Sequence, residues 1–436
     1  MKKLLRESIF SETSRPLQKL LKQLCLRLPR NSSVYLVGGL VRDTLLGVAG
    51  GKDIDLMVDL CSTEMILEIL IVLKKSNHLR SFQKVGKSFP VFKIKIFEFD
   101  EDIDLALART EVSTGLGHSD FEVNAERISA KKDGERRDFT VNALFIKFFL
   151  TDNQNLDLEL MDYFNGVEDL KDRKIKAVGD PFLRMQEDPL RILRAYRFCN
   201  QKNFTMDRRL FEVIKKHSSK LLPSISLDRI QSEVIKTIQS NPRKAIQSYL
   251  ECDILSICYP SLINYLPRET PNFFSTSKLE SEKQVFPLLL CSWLELKAFR
   301  ITPMEFKNLE KNLRKCHIPY SKEIKAVLNG LVSLANRYET NYPDALQEKI
   351  LSSHCGEEVF ELYTQFQRRF QFSPLRDLSN LADKLDSRIL IQWGIKPESG
   401  FENIVMRVRQ LQIDGLTNKI ELRNKILMEL SLAGVY

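Results

Sequence analysis

Tryptophan and histidine are scarce in this chain, with 2 and 5 copies among 436 residues, and its 8 cysteines form no Cys-x-x-Cys pair. Five scattered histidines without a His-Asp pair exclude a histidine-aspartate phosphohydrolase. Cys316-His317 and His354-Cys355 lack the spacing of a zinc finger or ribbon, so no metal centre is read there. The cysteines are spread through apolar runs and read as reduced, packed thiols, which fits a reducing cytoplasm and excludes a disulfide scaffold. No apolar run approaches the ~18 residues of a membrane span. The start, "MKKLLRESIF", is basic but has no apolar stretch long enough for a signal peptide, so the expected protein is soluble, unsecreted and cytoplasmic, with no membrane partner. Internal repeats and low-complexity segments are absent, which excludes a solenoid or a fibre.

What is present is an ordinary globular composition, 43% hydrophobic and 28% charged, with room for several cores. Lys and Arg number 66 against 57 Asp and Glu, a formal charge of +9 that favours a polyanionic partner. Residues 15 to 30 have the period of an amphipathic helix. "VYLVGG", "DIDLMVDL" and "FPVFKIKIFEFDEDIDLALA" have the Val, Ile and Phe content of strands, and "EMILEILIVLKK" between them is helical. "FTVNALFIKFFL" carries the last clear strand, and the periodicity beyond it is helical. An α+β chain follows: an α/β head over 1–150, a helical segment over 151–258, and a helical remainder over 259–436 that starts at the proline-rich "YPSLINYLPRETPNFFSTSK".

Within the head, "YLVGGLVRDTLLGVAGGKDIDLMV" joins a glycine turn to an Asp-x-Asp pair. Aspartates at i and i+2 of a strand share a face, so Asp53 and Asp55 can reach one hard cation, for which Mg²⁺ with substrate phosphates is the usual case. Gly38 and Gly39 close a strand and open a helix, where backbone N–H groups can approach a phosphate, and Arg42 adds donors one turn later. A third acid is expected from a neighbouring strand, either Asp104 or Asp102. Asp188, Arg191, Arg194 and Arg197 recur every third residue of a helix, with the first two near neighbours. A carboxylate accepts from an exocyclic amino group while a guanidinium donates to ring acceptors, so Asp188 and Arg191 can imitate a complementary base.

Taken together, "VGGLVRDTLLG…DIDLMV", "IDLALARTE", "RRDFTVNALF" and "EDPLRILRAYRF" resemble the bacterial class II tRNA nucleotidyltransferase and poly(A) polymerase family, in the family's order over residues 35 to 198. The resemblance implies a polymerase beta-like head followed by an all-helical neck, body and tail. It implies Mg²⁺ on Asp53 and Asp55 with Asp104 as third carboxylate, and a triphosphate held by Gly38, Gly39 and Arg42. Arg137 and Asp138 lie around phosphates and sugar, Asp188 and Arg191 read the incoming base, and Arg194 and Arg197 reach the nucleotide. CTP, ATP and tRNA are the implied partners, with no stable protein partner.

Three activities share such a head: addition of CCA, addition of CC or A alone, and poly(A) tailing. The polar segment between Arg109 and Arg136 has about the length of the family's flexible loop, which CC-only members shorten. "SLDRIQSEVIK" resembles a helix of CCA-adding members, with Asp228 in place of Glu. "WGIKPESGFENIVMRVRQLQIDGLTNKIELRNKIL" resembles their tRNA-grasping tail. CCA addition is therefore the expected activity. The sequence departs from the family at Asn165, where glycine is usual, and in one extra residue before Asp53.

Overall fold

The computed structural model describes residues 15–48, 54–86, 90–99, 103–113, 121–124, 127–266, 343–351, 385–397 and 400–433, together with positions 285, 308–309, 311–313, 315 and 329–330. Asp53 and Asp102 lie outside these residues. The chain divides into two units, Met1–Glu233 and Val234–Tyr436.

The first unit is built on a seven-stranded sheet. Its strands are β1 (Val34–Val37), β2 (Ile54–Val58), β3 (Ser81–Val85), β4 (Val91–Lys95), β5 (Ile103–Leu107), β8 (Leu144–Leu150) and β9 (Leu156–Asp162), in the order β3-β4-β5-β2-β1-β8-β9. Only β2 and β5 run parallel, with Asp55 opposite Asp104; the other neighbours are antiparallel. All four residues of β1 are buried, as an apolar run without alternation requires of a central strand. Tyr35, Val37, Met57 and Phe145 form a core on one face. Helix α1 (Arg15–Arg27) covers β1, β8 and β9 and buries Leu17, Leu20, Leu21 and Leu24 at helical spacing. Each of these leucines contributes roughly 1.5–3 kcal/mol.

Strand β9 corrects the expectation that the last strand ends near residue 150. Its sequence, Leu-Asp-Leu-Glu-Leu-Met-Asp, alternates as a strand does but places acids at the sheet edge, where they discourage pairing with another chain and dilute the Val, Ile and Phe content that marks the other strands. Beyond it, Asn165 opens a helix with φ 59 and ψ 31. Asparagine enters this left-handed region more readily than other side chains, so the departure from glycine keeps the backbone path.

Between β5 and β8 the polar segment begins and returns as a hairpin, β6 (Thr110–Ser113) paired with β7 (Phe121–Asn124). Helix α4 (Ala130–Glu135) follows, capped by Ser129. After the sheet come α6 (Pro181–Glu187), whose first turn is capped by Asp180 and opened by proline, then α7 (Leu190–Gln201), α8 (Arg208–Leu221) and α9 (Leu227–Ser240). The short α2 (Gly39–Leu45), α3 (Thr63–Lys75) and α5 (Gly166–Lys171) complete the unit's helices among the described residues.

In the second unit the described helices are α10 (Pro242–Leu250), α11 (Ile254–Cys258), α12 (Pro343–Leu351), α13 (Ser387–Gln392), α14 (Phe401–Ile413) and α15 (Lys419–Leu432). Leu390, Ile395, Val408, Leu411, Leu422 and Ile426 make its core around Trp393 and Phe401. Gln410 accepts from the Asp344 and Ala345 amides, which caps α12 from α14, and Arg409 pairs with Glu348 beside it. The segment "WGIKPESG" falls between α13 and α14, with Gly400 at φ 96.

Candidate active site

A cavity of about 800 Å³ opens in the first unit between the ends of β1, β2 and β5 and the face of α7. Its wall carries Gly38, Gly39, Arg42, Asp55, Asp104, Arg137, Asp138, Asp188, Arg191, Arg194 and Arg197. Every proposed site residue except Asp53, which lies outside the described residues, therefore meets at one place. The wall holds eight arginines against five aspartates, an excess of positive charge suited to a triphosphate.

Asp55 and Asp104 stand side by side through the parallel β2–β5 register. Gly38 turns over Asp55 with φ 80, and a Cβ there would lie 2.9 Å from Asp55 Oδ2, so a larger residue would push the carboxylate aside. Lys93 Nζ donates to both oxygens of Asp104 at 3.0 and 3.2 Å, which places a cation on this acid. Two neighbouring carboxylates with only oxygen donors fit a hard divalent ion. Among the described residues no group of three acids, histidines or cysteines could hold a metal, and Asp53, expected to bind it together with Asp55, is outside them.

Arg42 is buried, and its fork faces protein groups: Nε and Nη2 donate to Asp43 and Nη1 donates to Asn142 Oδ1 at 2.7 Å. Lys202 shares Asp43, at 2.9 Å. The Phe198 ring supports three guanidinium groups, those of Arg42 at 5.0 Å, Arg194 at 5.5 Å and Arg197 at 4.4 Å from its centroid. Such contacts hold cations in place without neutralising them.

Asp138 accepts from Arg194 Nε at 2.9 Å, from Asn142 Nδ2 at 3.0 Å and from the Phe139 amide. Arg137 pairs with Asp133 and donates to the Asn142 carbonyl. Asp188 and Arg191 are both at the cavity but are held by different partners. Arg229 grips both Asp188 oxygens at 3.1 and 3.2 Å, while Arg191 donates to Glu187 and to the carbonyls of Arg184 and Arg136. Arg197 donates to Glu233 at 2.6 Å.

Residues 34–176 match the poly A polymerase head domain, and residues 203–266 match the probable RNA and SrmB-binding site of polymerase A. A CCA-adding enzyme of Ligilactobacillus salivarius is 31% identical over 371 residues, which cover 83% of this chain and 84% of that protein. The chain belongs to the CCA-adding enzyme family. A Thermotoga maritima CCA-adding enzyme complexed with tRNA matches it with a TM-score of 0.63 and 23% identity over 98% of both chains. A Bacillus stearothermophilus CCA-adding enzyme in complex with CTP matches with a TM-score of 0.62 and 21% identity, over 97% and 99%. These likenesses establish the fold, a polymerase-type head followed by helices, as the sequence motifs imply. Members of this family use a divalent metal.

Five residues around the cavity carry no signal that the sequence motifs single out: Asp133, Arg136, Asn142, Phe198 and Arg229. Arg229 sits inside the "SLDRIQSEVIK" signature, and Asn142 is a polar residue within the apolar lead into β8, a pattern that marks a satisfied buried group. Asp133 falls in the polar segment expected to be loop. It is nearly fully buried, accepts from the Arg109 amide at 3.2 Å, and pairs with Arg136 and Arg137.

Burial alone would raise the Asp133 and Asp138 carboxyls, but Arg137 and Arg136 around the first and Arg194 with Asn142 around the second hold both below the ordinary 3.8. A carboxylate depressed by folding contributes stability above its ordinary pKa, and that contribution is lost as pH falls through the folded value. Melting temperature should therefore drop as pH falls below 3.8. Asp133→Asn should lower the melting temperature at neutral pH and flatten that acid limb. Parallel acid limbs in the two proteins, read by circular dichroism, would remove Asp133 from the account.

Proposed function

We propose that this chain adds C, C and A in turn to the 3′ end of tRNA from CTP and ATP, without a nucleic-acid template, in the cytoplasm. The terminal 3′ oxygen attacks the α-phosphorus, the bond to the β-phosphate breaks, the hydroxyl proton leaves and pyrophosphate is released. The observation that carries this reading is the meeting of Asp55 and Asp104 with Asp188 and Arg191 across one arginine-rich cavity.

Asp53 and Asp55 would hold two Mg²⁺ with Asp104 beside them, one lowering the pKa of the attacking hydroxyl and the other offsetting the charge on the leaving phosphates. Arg42, on the cavity wall after Gly38 and Gly39, would meet the triphosphate with the N–H groups that Asp43 and Asn142 do not use, and Arg137 adds charge beside it. Asp138 would accept a hydrogen bond from a ribose 2′-hydroxyl, which favours ribonucleotides. Asp188 accepts from the amino group that C and A both carry, and Arg191 donates to the adjoining ring acceptor. Arg194 and Arg197, stacked at Phe198, face the same nucleotide. The free cysteines among the described residues fit a reducing compartment; burial pushes the Cys258 thiol up to about 12, so it stays protonated and inert.

Purified protein given a tRNA transcript ending at the discriminator base should release three pyrophosphates per tRNA with CTP and ATP together, and two with CTP alone. Release that does not depend on tRNA would reject the reading. Shape and phosphate contacts dominate recognition of a shared tRNA form, so binding should weaken with salt. Lys419, Arg423 and Lys425 are exposed on α15. Changing all three to alanine should weaken tRNA binding and leave CTP binding intact, with the salt slope smaller by ~0.9 for each phosphate that is no longer neutralised. An unchanged slope would remove α15 from the RNA surface.

A further inference from the structure

Asn142 makes the bonds that join the two halves of the nucleotide site. Its Oδ1 accepts from Arg42 Nη1 at 2.7 Å, its Nδ2 donates to Asp138 Oδ1 at 3.0 Å, and its backbone carbonyl accepts from Arg137 Nη1 at 3.0 Å. The chemistry of its neighbours fixes the amide's orientation. A guanidinium only donates and an ionised carboxylate only accepts, so the oxygen must face Arg42 and the nitrogen Asp138. Asn142 is buried, as are Arg42 and Asp138, so a missing partner would leave a charged group short of a bond where water cannot easily replace it.

No other uncharged side chain of similar size serves both ends. Aspartate would set a second carboxylate against Asp138, and leucine would serve neither neighbour. Arg42 is further fixed by Asp43, its neighbour on α2, and by the Phe198 ring, and Asp138 by Arg194, so both ends of the bridge are also held by side chains of α7. A displacement of the Arg42 guanidinium would reach the Asp138 carboxylate through this one planar amide.

We propose that Asn142 is a positioning residue that couples recognition of the triphosphate, at Arg42, to recognition of the ribose 2′-hydroxyl, at Asp138. The inference rests on the nucleotide-site reading above. It means that a sugar is accepted in full only when the triphosphate is seated, so ribose selectivity is a property of the bridge as well as of Asp138.

The test compares CTP with 2′-deoxy-CTP, by titration calorimetry and by single-nucleotide addition to tRNA, using full-length protein. The native enzyme should favour CTP. Asn142→Ala should lower that preference at least tenfold, and Asn142→Asp, which keeps an acceptor for Arg42 but repels Asp138, should lower it as far. Arg42→Gln should reduce the preference in the native background and add nothing in Asn142→Ala. If Asn142→Ala proves poorly folded by circular dichroism, Asn142→Ser and Asn142→Asp carry the same comparison. Equal weakening of CTP and 2′-deoxy-CTP in these variants, with the native preference retained, would overturn the coupling while leaving the nucleotide site intact. Absence of CTP binding by the native protein would instead overturn the site reading, and the coupling with it.

Discussion

Asp55→Ala will lower nucleotide incorporation at saturating Mg²⁺ by about a thousandfold or more, the equivalent of ~4 kcal/mol of transition-state stabilisation, while tRNA still binds. The strand should survive the change. Leu56, Met57 and Val58 are buried and keep β2 between β1 and β5, whereas Asp55 is only half-buried and faces the cavity. What is removed is a carboxylate that the fold holds beside Asp104 and under Gly38. Gly38→Ala provides an independent check, since its Cβ would meet Asp55 Oδ2 at 2.9 Å and displace the same group without removing it. Filter binding of labelled tRNA and gel-resolved extension separate the two effects. Turnover within tenfold of native in Asp55→Ala would end the metal assignment.

Asp188→Ala should lose discrimination against UTP and GTP by about ten- to a hundredfold, as expected when a paired hydrogen-bonding group worth ~1–3 kcal/mol is removed. U and G present acceptor and donor in the reverse order to C and A, so only a fixed carboxylate beside a fixed guanidinium separates the two classes. The structure supplies the fixing groups. Arg229 holds Asp188 by both oxygens, and Arg191 is tied to Glu187 and to the Arg136 carbonyl. Arg229→Ala, which removes the bidentate partner and leaves Asp188 the Leu190 amide at 3.2 Å, should cost selectivity to a smaller degree. Selectivity is read as the ratio of kcat/KM for CTP to that for UTP. Slowing of all four nucleotides by one factor in Asp188→Ala would make Asp188 a residue that only starts α7.

The sheet's centre was legible because β1 and β2 are short apolar runs separated by a glycine turn and a helix, a pattern with few other solutions. β9 alternates too, Leu-Asp-Leu-Glu-Leu, but Asp and Glu are residue types that strands disfavour, so its composition is less strand-like than that of the Val-, Ile- and Phe-rich strands. The cavity's carboxylates were legible because Asp55 and its partner strand have strand periodicity, which fixes the face. Which groups hold the arginines was not. Asp133 to Arg137, Arg229 to Asp188 and Asn142 to Arg42 are contacts across 4, 41 and 100 positions of chain, and only the first of them lies within helical reach. Arg42 shows the consequence: a residue read as a phosphate donor has three of its N–H groups on Asp43 and Asn142. The hairpin stem at Thr110–Ser113 and Phe121–Asn124 also gives form to a segment read as a flexible loop.

The measurement that bears most directly on CCA addition uses tRNA transcripts ending at the discriminator base, at C, at CC and at CCA, together with an unstructured RNA, each given labelled CTP and ATP. The first three should be extended to one common end point and the fourth left unchanged, because the pocket must read the growing 3′ end as well as the base. Extension of the CC-ended transcript alone, or long A tracts on the unstructured RNA, would contradict it.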